Sequence, residues 1–195
     1  MAKDLMVGFK RVNLAPVVTN TTDAYVTEAA MSLPWAGKMS LTPKETSQDI
    51  YYDDDLYLTI KELRGYEVEL RMAQIEFEVL QTLGLGTFDE DTNTFNENMQ
   101  VVGGEYALRF VADTPDRLPF YYNFRSFKIT EITPDSFATK TDSLTPNELI
   151  IKGSISSVLA TGLSYKSIMK LLPNSSNLNA CNAFLTDAET YPDTP

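Results

Sequence analysis

The stretch GYEVELRM, residues 65–72, alternates strictly between apolar and charged side chains. Successive side chains of an extended chain point to opposite sides, so this period of two predicts a β-strand with one buried face. The positions expected in the core are Tyr66, Val68, Leu70 and Met72. The charged positions between them, which include Glu67 and Glu69, should face away from the core.

Sequence patterns that predict β-strands extend through most of the chain. GEYALRFVAD at 104–113 and ELIIKGSISSVLA at 148–160 predict strands, and FYYNFRSFKITEI at 120–132 predicts a strand whose slipping phase indicates a bulge. MVGFKRVNLAPVV at 6–18 and GKMSLTPKETSQDIYY at 37–52 are also expected to be extended. The predicted fold is therefore mainly β (α+β), either a β-sandwich or an open barrel.

One segment has a helical period instead. In AQIEFEVLQTLGLG, residues 73–86, apolar side chains recur along one helical face. The helical pattern ends near Gly84, which suits a left-handed helix C-cap. We predict one short flanking α-helix. Its apolar face would consist of Ile75, Val79, Leu80 and Leu83.

The domain organisation follows from where the strand pattern stops. Residues 1–172 are expected to form one β-domain, and residues 173–195 a C-terminal arm or loose tail, because no Lys or Arg follows Lys170 and the segment ends in turn-forming residues. Residues 19–37 and 85–100 are expected to be extended loops.

The charge balance restricts the possible functions. Sixteen basic residues face 27 acidic ones, which gives a net charge of −11, and such a surface is unsuited to holding nucleic acid as a ligand. The chain has no histidine and a single cysteine, Cys181. Triads that need histidine, histidine-rich zinc sites and intrachain disulfides are thereby excluded. We expect no cofactor and no catalytic activity.

The sequence also lacks signals for a membrane. The N-terminal residues have no apolar core of a signal peptide, and no run approaches the ~18 apolar residues of a membrane span. We expect a protein that is synthesised in the cytoplasm and has no membrane partner.

The acidic loop at 85–100 partly resembles a calcium-binding loop. Asp89, Asp91 and Asn93 match the first three ligand positions of an EF-hand. However, Thr94 stands where glycine is required and Gln100 where a glutamate is needed. A solvated acidic hairpin is the favoured interpretation, and no metal site is predicted.

A run of three aspartates, Asp53 to Asp55, lies between the two extended segments 37–52 and 56–72. It could be a solvated turn, which is the common origin of such charge runs, or part of a surface that is kept negative for a function. Composition alone favours the turn.

The order of these elements resembles that of the major tail tube proteins of long, flexible-tailed phages of Gram-positive bacteria. The resemblance runs from about Met6 to Leu172. The features that carry it are VGFKRVNLAPV, the long hairpin MSLTPKETSQDIYYDDDLYLTIKELRGYEVELRM, the helix and acidic hairpin IEFEVLQTLGLGTFDEDTNTF, and GEYALRFVAD with the aromatic strand after it.

The resemblance implies a virion protein whose six copies form a ring and whose rings stack into a conduit for DNA. Its partners would be itself and the tape-measure, tail-terminator and baseplate proteins, with DNA as passing cargo. Candidates for acids facing the lumen are Asp53, Asp54, Asp55, Glu67 and Glu69. Candidates for contacts between subunits or rings are Trp35, Asp89, Glu90, Asp91 and Phe95.

A second interpretation is a carbohydrate-binding or adhesion module without catalytic activity. Aromatic rings can stack on sugars, and the chain has four tyrosines in two adjacent pairs. These are Tyr51, Tyr52, Tyr121 and Tyr122. Such a module should stay monomeric and present its rings in one exposed patch.

Overall fold

The computed structural model describes residues 8–34, 36–52, 55–73, 77–92, 94–97, 104–113, 119–134, 149–163, 168–171 and 178–191. The first strands are β1 (Phe9–Asn20), β2 (Tyr25–Thr27), β3 (Met31–Leu33), β4 (Ala36–Tyr52) and β5 (Asp55–Met72). Helix α1 (Phe77–Thr82) precedes β6 (Gly86–Asp89), β7 (Thr94–Glu97), β8 (Glu105–Asp113) and β9 (Pro119–Pro134). The last elements are β10 (Leu149–Ile155), β11 (Ile168–Leu171), α2 (Leu178–Thr186) and β12 (Thr190–Tyr191). The mainly-β prediction is confirmed.

Ten of the described strands form one antiparallel sheet, and β6 and β7 form a separate hairpin. The order in the large sheet is β12-β2-β1-β8-β9-β10-β5-β4, with β3 paired to β1 and β11 paired to β9. Strands β1 and β4 contact each other although four strands lie between them in this order. The sheet therefore curls around its apolar face, in the manner of an open barrel.

The strand at 65–72 follows its predicted phase. Val68, Leu70 and Met72 are buried in the main core, and Tyr66 is half-buried against it. The predicted bulge in β9 is also present, because Lys152 pairs with Glu131 whereas the next residue, Gly153, pairs with Ile129. The extra residue of β9 explains why its apolar pattern slips.

Helix α1 covers part of this core. Val79 and Leu83 are buried and Leu80 is half-buried, as predicted, whereas Ile75 lies outside the described residues. Gly84 has a φ of 75° and donates to the carbonyl of Gln81 at 2.9 Å. The amide of the next residue, Leu85, donates to the carbonyl of Leu80 at 3.0 Å. Together these bonds form a Schellman motif, so the predicted glycine cap is confirmed.

Residues 178–191, for which we expected a C-terminal arm or loose tail, pack against the sheet and contain a second helix that was not predicted. Cys181 and Leu185 of α2 are buried with Val111 and Tyr121 of the sheet, and β12 pairs with β2. The physical reason lies in β8 and β9, which carry large apolar side chains on both faces. The curled sheet covers one face, and the C-terminal segment covers part of the other.

Candidate interaction surface

The long hairpin of β4 and β5 extends beyond the rest of the sheet. β10 accompanies β5 only from Tyr66 to Met72. Among the described strands, the remaining parts of the hairpin, 44–52 and 55–65, pair only with each other. Apart from half-buried Ile50, every described side chain of 44–51 and 57–64 is exposed. A two-stranded arm thus leaves the body of the domain.

Apolar side chains concentrate on this hairpin. Of the eight large hydrophobic residues that are exposed in the described part of the chain, six lie on β4 and β5. These six are Leu41, Tyr51, Tyr57, Leu58, Ile60 and Leu63. Scattered apolar residues are normal on a soluble protein, but a concentration of them on one projecting element marks an interaction surface.

A bulge decides which way these side chains point. Lys44 pairs with Gly65 but the next residue, Glu45, pairs with Leu63, so Arg64 is an extra residue in β5. The phase of β5 reverses there. Cross-strand partners share a face, and Leu58 and Ile60 therefore lie on the opposite face of the sheet from Val68.

The hairpin also presents an open edge. β4 is the last strand in the sheet order, and its outer side, from Ala36 to Tyr52, pairs with none of the other described strands. Unpaired N–H and C=O groups along such an edge are a template for adding a strand from another chain. The open strand edge and most of the exposed apolar side chains therefore lie on the same hairpin.

The face of the sheet opposite the core is polar and ion-paired. Glu67 and Glu69 lie on it, as predicted, each beside a cation on the same face. The four ion pairs are Lys44–Glu67 at 3.0 Å, Arg71–Glu69 at 2.8 Å, Lys152–Glu131 at 3.0 Å and Lys128–Glu105 at 3.8 Å. A cavity of about 290 Å³ lies among Lys44, Glu67, Glu69 and Lys152 and the hydroxyls of Ser40 and Thr42. The acids of this face are thus balanced by cations. Arg71 alternates with Glu67 and Glu69 in the sequence, whereas the three lysines come from β4, β9 and β10.

In the sequence, the run of three aspartates falls where β4 ends and β5 begins. Tyr52 pairs with Asp55, which begins β5. Asp53 and Asp54 lie outside the described residues, as does Trp35, and the side chain of Asp55 is likewise not described.

The acidic hairpin is organised by one carboxylate. The carboxylate of Asp89 accepts hydrogen bonds from the backbone N–H of Asp91 at 3.0 Å and from the hydroxyl of Thr92 at 2.7 Å. The hydrogen bond from the Thr92 hydroxyl lowers the pKa of Asp89. Glu90 and Asp91 are exposed. Phe95, which was expected to contact another copy, is half-buried against its own core.

A buried charged cluster was not predicted. Arg109 and Arg125 are almost fully buried, and both approach Glu189 of the C-terminal segment, at 3.6 and 2.7 Å. Burial lowers the pKa of Arg109. The hydroxyl of Tyr25 donates to the carbonyl of Arg125 at 2.6 Å, and burial raises the pKa of Tyr25. Nothing in the local pattern links Glu189 to strands more than 60 residues away.

The tyrosines proposed to stack on sugars do not form one surface. Tyr121 and Tyr122 are each 4% exposed and pack inside the domain. Tyr51 is exposed on the hairpin, and the side chain of Tyr52 lies outside the described residues. Because Tyr121 and Tyr122 are buried, the four tyrosines cannot together form the exposed patch expected of a carbohydrate-binding module.

No protein-family model matches the chain, and no curated protein matches it. In the part of the chain that the structure describes, no three His, Cys, Asp or Glu residues are grouped so that they could hold a metal ion. No described helix has the length and apolarity required to cross a membrane.

Proposed function

We propose that this chain is a structural subunit that assembles with copies of itself into stacked hexameric rings, as the major tail tube protein of a long-tailed phage. The observation that supports this most is the projecting hairpin. It combines an open strand edge with six of the eight exposed large hydrophobic side chains in the described residues. Both features are unfavourable in a monomer and useful where a neighbouring copy covers them.

The two ends of the sheet differ, which suits a head-to-tail contact between copies. The open edge of β4 ends one side of the sheet, whereas short strands end the other. An edge that meets a different surface on its neighbour makes a head-to-tail contact, and head-to-tail contacts form closed rings when the rotation between copies closes. Stacked rings would then form a tube in the virion tail, with tape-measure, tail-terminator and baseplate proteins as further partners.

The ion-paired sheet face supports the transport of DNA without retention. Lys44, Lys128 and Lys152 would bind phosphates if they were available, since basic side chains replace the counterions of DNA. Each has a carboxylate partner within 4 Å. A wall of this composition has little net charge, and we propose that it lines the lumen while the aspartates at the end of the hairpin add repulsion.

Assembly can be tested by electron microscopy of the purified protein over a range of concentrations. The expected result is rings or hollow, periodic tubes that increase with concentration. Replacing both Leu58 and Ile60 with threonine should suppress them, because the arm then loses two of its exposed apolar side chains. Val18, which is 61% exposed but lies outside the hairpin, provides the matched control Val18→Thr.

Two results would contradict the proposal. One is a monomer at every protein and salt concentration. The other is unaltered assembly of the Leu58→Thr, Ile60→Thr variant together with loss of assembly in Val18→Thr, which would place the interface elsewhere.

A further inference from the structure

Polar side chains that are buried in the sheet gather beneath the C-terminal segment, residues 178–191. Six polar or charged residues are buried in the described part of the chain, and five of them hydrogen-bond to this segment. A buried polar group needs a partner, so five of them directed at one segment indicate a site that is built to hold it. We call these five residues the docking site: Asn13, Thr27, Arg109, Asn123 and Arg125.

The docking site holds the main chain of the segment. Nδ2 of Asn13 donates to the carbonyl of Leu185 at 3.1 Å. The backbone amide of Thr27 donates to the carbonyl of Glu189 at 2.8 Å. The segment then continues as β12, which adds a strand to the edge of β2. Proteins bind extended peptides in this way, because main-chain hydrogen bonds along a sheet edge supply affinity.

Two side chains of the segment give the site its specificity. Leu185 is fully buried with Val111 and Tyr121 of the sheet. Four residues further on, the carboxylate of Glu189 accepts hydrogen bonds from Arg125 at 2.7 Å and from a neighbouring asparagine at 2.8 Å. Hydrogen bonds between charged groups are stronger than neutral ones and fix orientation. The site therefore suits an acidic peptide with a leucine and a glutamate four positions apart.

The chain's own segment does not satisfy the docking site completely. Among the described residues, Nε of Arg109 and Oδ1 of Asn123 have no hydrogen-bond partner, although the two residues are 1% and 0% exposed. A buried polar atom without a partner costs stability. In addition, β12 pairs with β2 at two positions, Thr190 and Tyr191. The segment is thus held by contacts that can open locally while the rest of the sheet stays paired.

We propose that the docking site also binds the C-terminal segment of a second copy of this chain, so that two copies exchange residues 178–191. The contacts are the same whether the segment comes from the same chain or from another, and exchange therefore loses none of them. An empty site would leave Arg109 and Arg125 without their carboxylate, which favours refilling by whichever segment is near. High protein concentration should therefore favour exchange. The inference does not depend on the proposed tube, because any two copies can make this contact.

Disulfide formation between two chains can detect the exchange. Because the amide of Thr27 donates to the carbonyl of Glu189, the next pair, Val26 and Thr190, is a non-hydrogen-bonded pair whose side chains lie close together. One chain carries Val26→Cys, and the second carries Thr190→Cys and an isotopic label. The two are mixed at high concentration under mild oxidation. We expect at least tenfold more mixed disulfide dimer than in a mixture where Thr87→Cys, at an exposed position of β6, replaces Val26→Cys.

A single chain that carries both Val26→Cys and Thr190→Cys is the reference for this geometry. It should form the intrachain disulfide in dilute solution, since the two positions are cross-strand partners. The natural cysteine, Cys181, is 1% exposed and remains in every variant. Absence of the intrachain disulfide would overturn the docking site itself.

The variant Glu189→Gln provides a second measurement whose sign depends on the chain that carries it. In the Thr190→Cys chain it should reduce the yield of mixed dimer several-fold, because the donated segment has lost its carboxylate. In the Val26→Cys chain it should increase the yield several-fold, because that chain's own segment competes less well for its site. Glu78→Gln, at an exposed position of α1, should change neither yield. A general loss of stability cannot produce opposite effects in the two chains.

Mixed dimer above the Thr87→Cys level, with opposite effects of Glu189→Gln in the two chains, would support the exchange. An intrachain disulfide without mixed dimer above that level would overturn it and show that the docking site holds only its own segment. The same effect of Glu189→Gln in both chains would overturn the role of the docking site in the dimer. The cysteine measurement changes no residue of the docking site and therefore decides alone if Glu189→Gln does not fold.

Discussion

Arg125 donates a hydrogen bond from Nε to Oε1 of Glu189 at 2.7 Å, although 64 residues separate them in the chain. The other carboxylate oxygen of Glu189, Oε2, accepts a hydrogen bond from the side-chain Nδ2 of Asn123 at 2.8 Å. The same oxygen lies 3.6 Å from Nη2 of Arg109. One carboxylate therefore balances two buried guanidinium groups. This contact joins the C-terminal segment to the middle of the large sheet.

Replacing Glu189 with glutamine should destabilise the domain. The variant leaves two buried arginines without their carboxylate, and breaking such a buried pair commonly costs about 3 kcal/mol or more. We expect a loss of about 3 kcal/mol in the free energy of unfolding, measured by chemical denaturation. Glu28→Gln, at an exposed position, is the control. Equal stability of both variants would show that the ion pairs of Glu189 do not hold the C-terminal segment in place.

Tyr25 should make the protein sensitive to alkali. Its pKa is raised above the ordinary value of 10.0, chiefly by burial and then by Glu189. Above pH 10 the unfolded chain loses a proton that the folded chain retains, so stability is complete below pH 10 and falls as pH rises further. The Tyr25→Phe variant should lose less stability between pH 10 and 12 than the parent, although it is weaker at neutral pH by about 1 kcal/mol because a hydrogen bond is missing.

The measurement for Tyr25 is chemical unfolding at several alkaline pH values. Tyr51→Phe, at an exposed position of the hairpin, is the matched control. An identical decline of stability in the parent and in Tyr25→Phe would assign the alkaline transition to other groups.

Gly65 should tolerate no side chain. It has a φ of 148°, and a Cβ atom would lie 2.2 Å from the carbonyl oxygen of Ile155. It sits at the bulge where the hairpin leaves the body, so relief of this contact would separate β5 from β10. We expect Gly65→Ala to lower the free energy of unfolding by about 2 kcal/mol or more. Gly37→Ala, with no atom within 4 Å of the added Cβ, should change it by less than about 1 kcal/mol.

Ion pairs on the polar sheet face should prevent DNA binding. Replacing Glu67, Glu69 and Glu131 with glutamine leaves three cations without compensation. We expect measurable binding to duplex DNA, with a slope of about −2 to −3 for log affinity against log salt. The matched triple variant Asp23→Asn, Glu28→Gln, Glu78→Gln changes the net charge equally but away from this face. If both variants bind alike, net charge rather than the face controls the interaction.

The strands were the most predictable part of the molecule. Alternation at Tyr66–Met72 determines which side chains are buried there, because a half-buried strand needs a period of two whatever lies around it. Gly84 likewise marks the end of α1, because a residue with positive φ completes a Schellman cap. These features depend on residues that are close together in the chain, and the local sequence is therefore sufficient to predict them.

Only the tertiary structure decided the position of the C-terminal segment and the faces of the hairpin. Glu189 forms ion pairs with Arg109 and Arg125 because folding brings distant segments of the chain together. No local sequence pattern predicts these contacts. The extra residue Arg64 reverses the phase of β5, which sends Leu58 and Ile60 to the face opposite Val68. A bulge is defined by pairing with another strand, so the sequence sets the spacing of apolar residues while the pairing determines where they point.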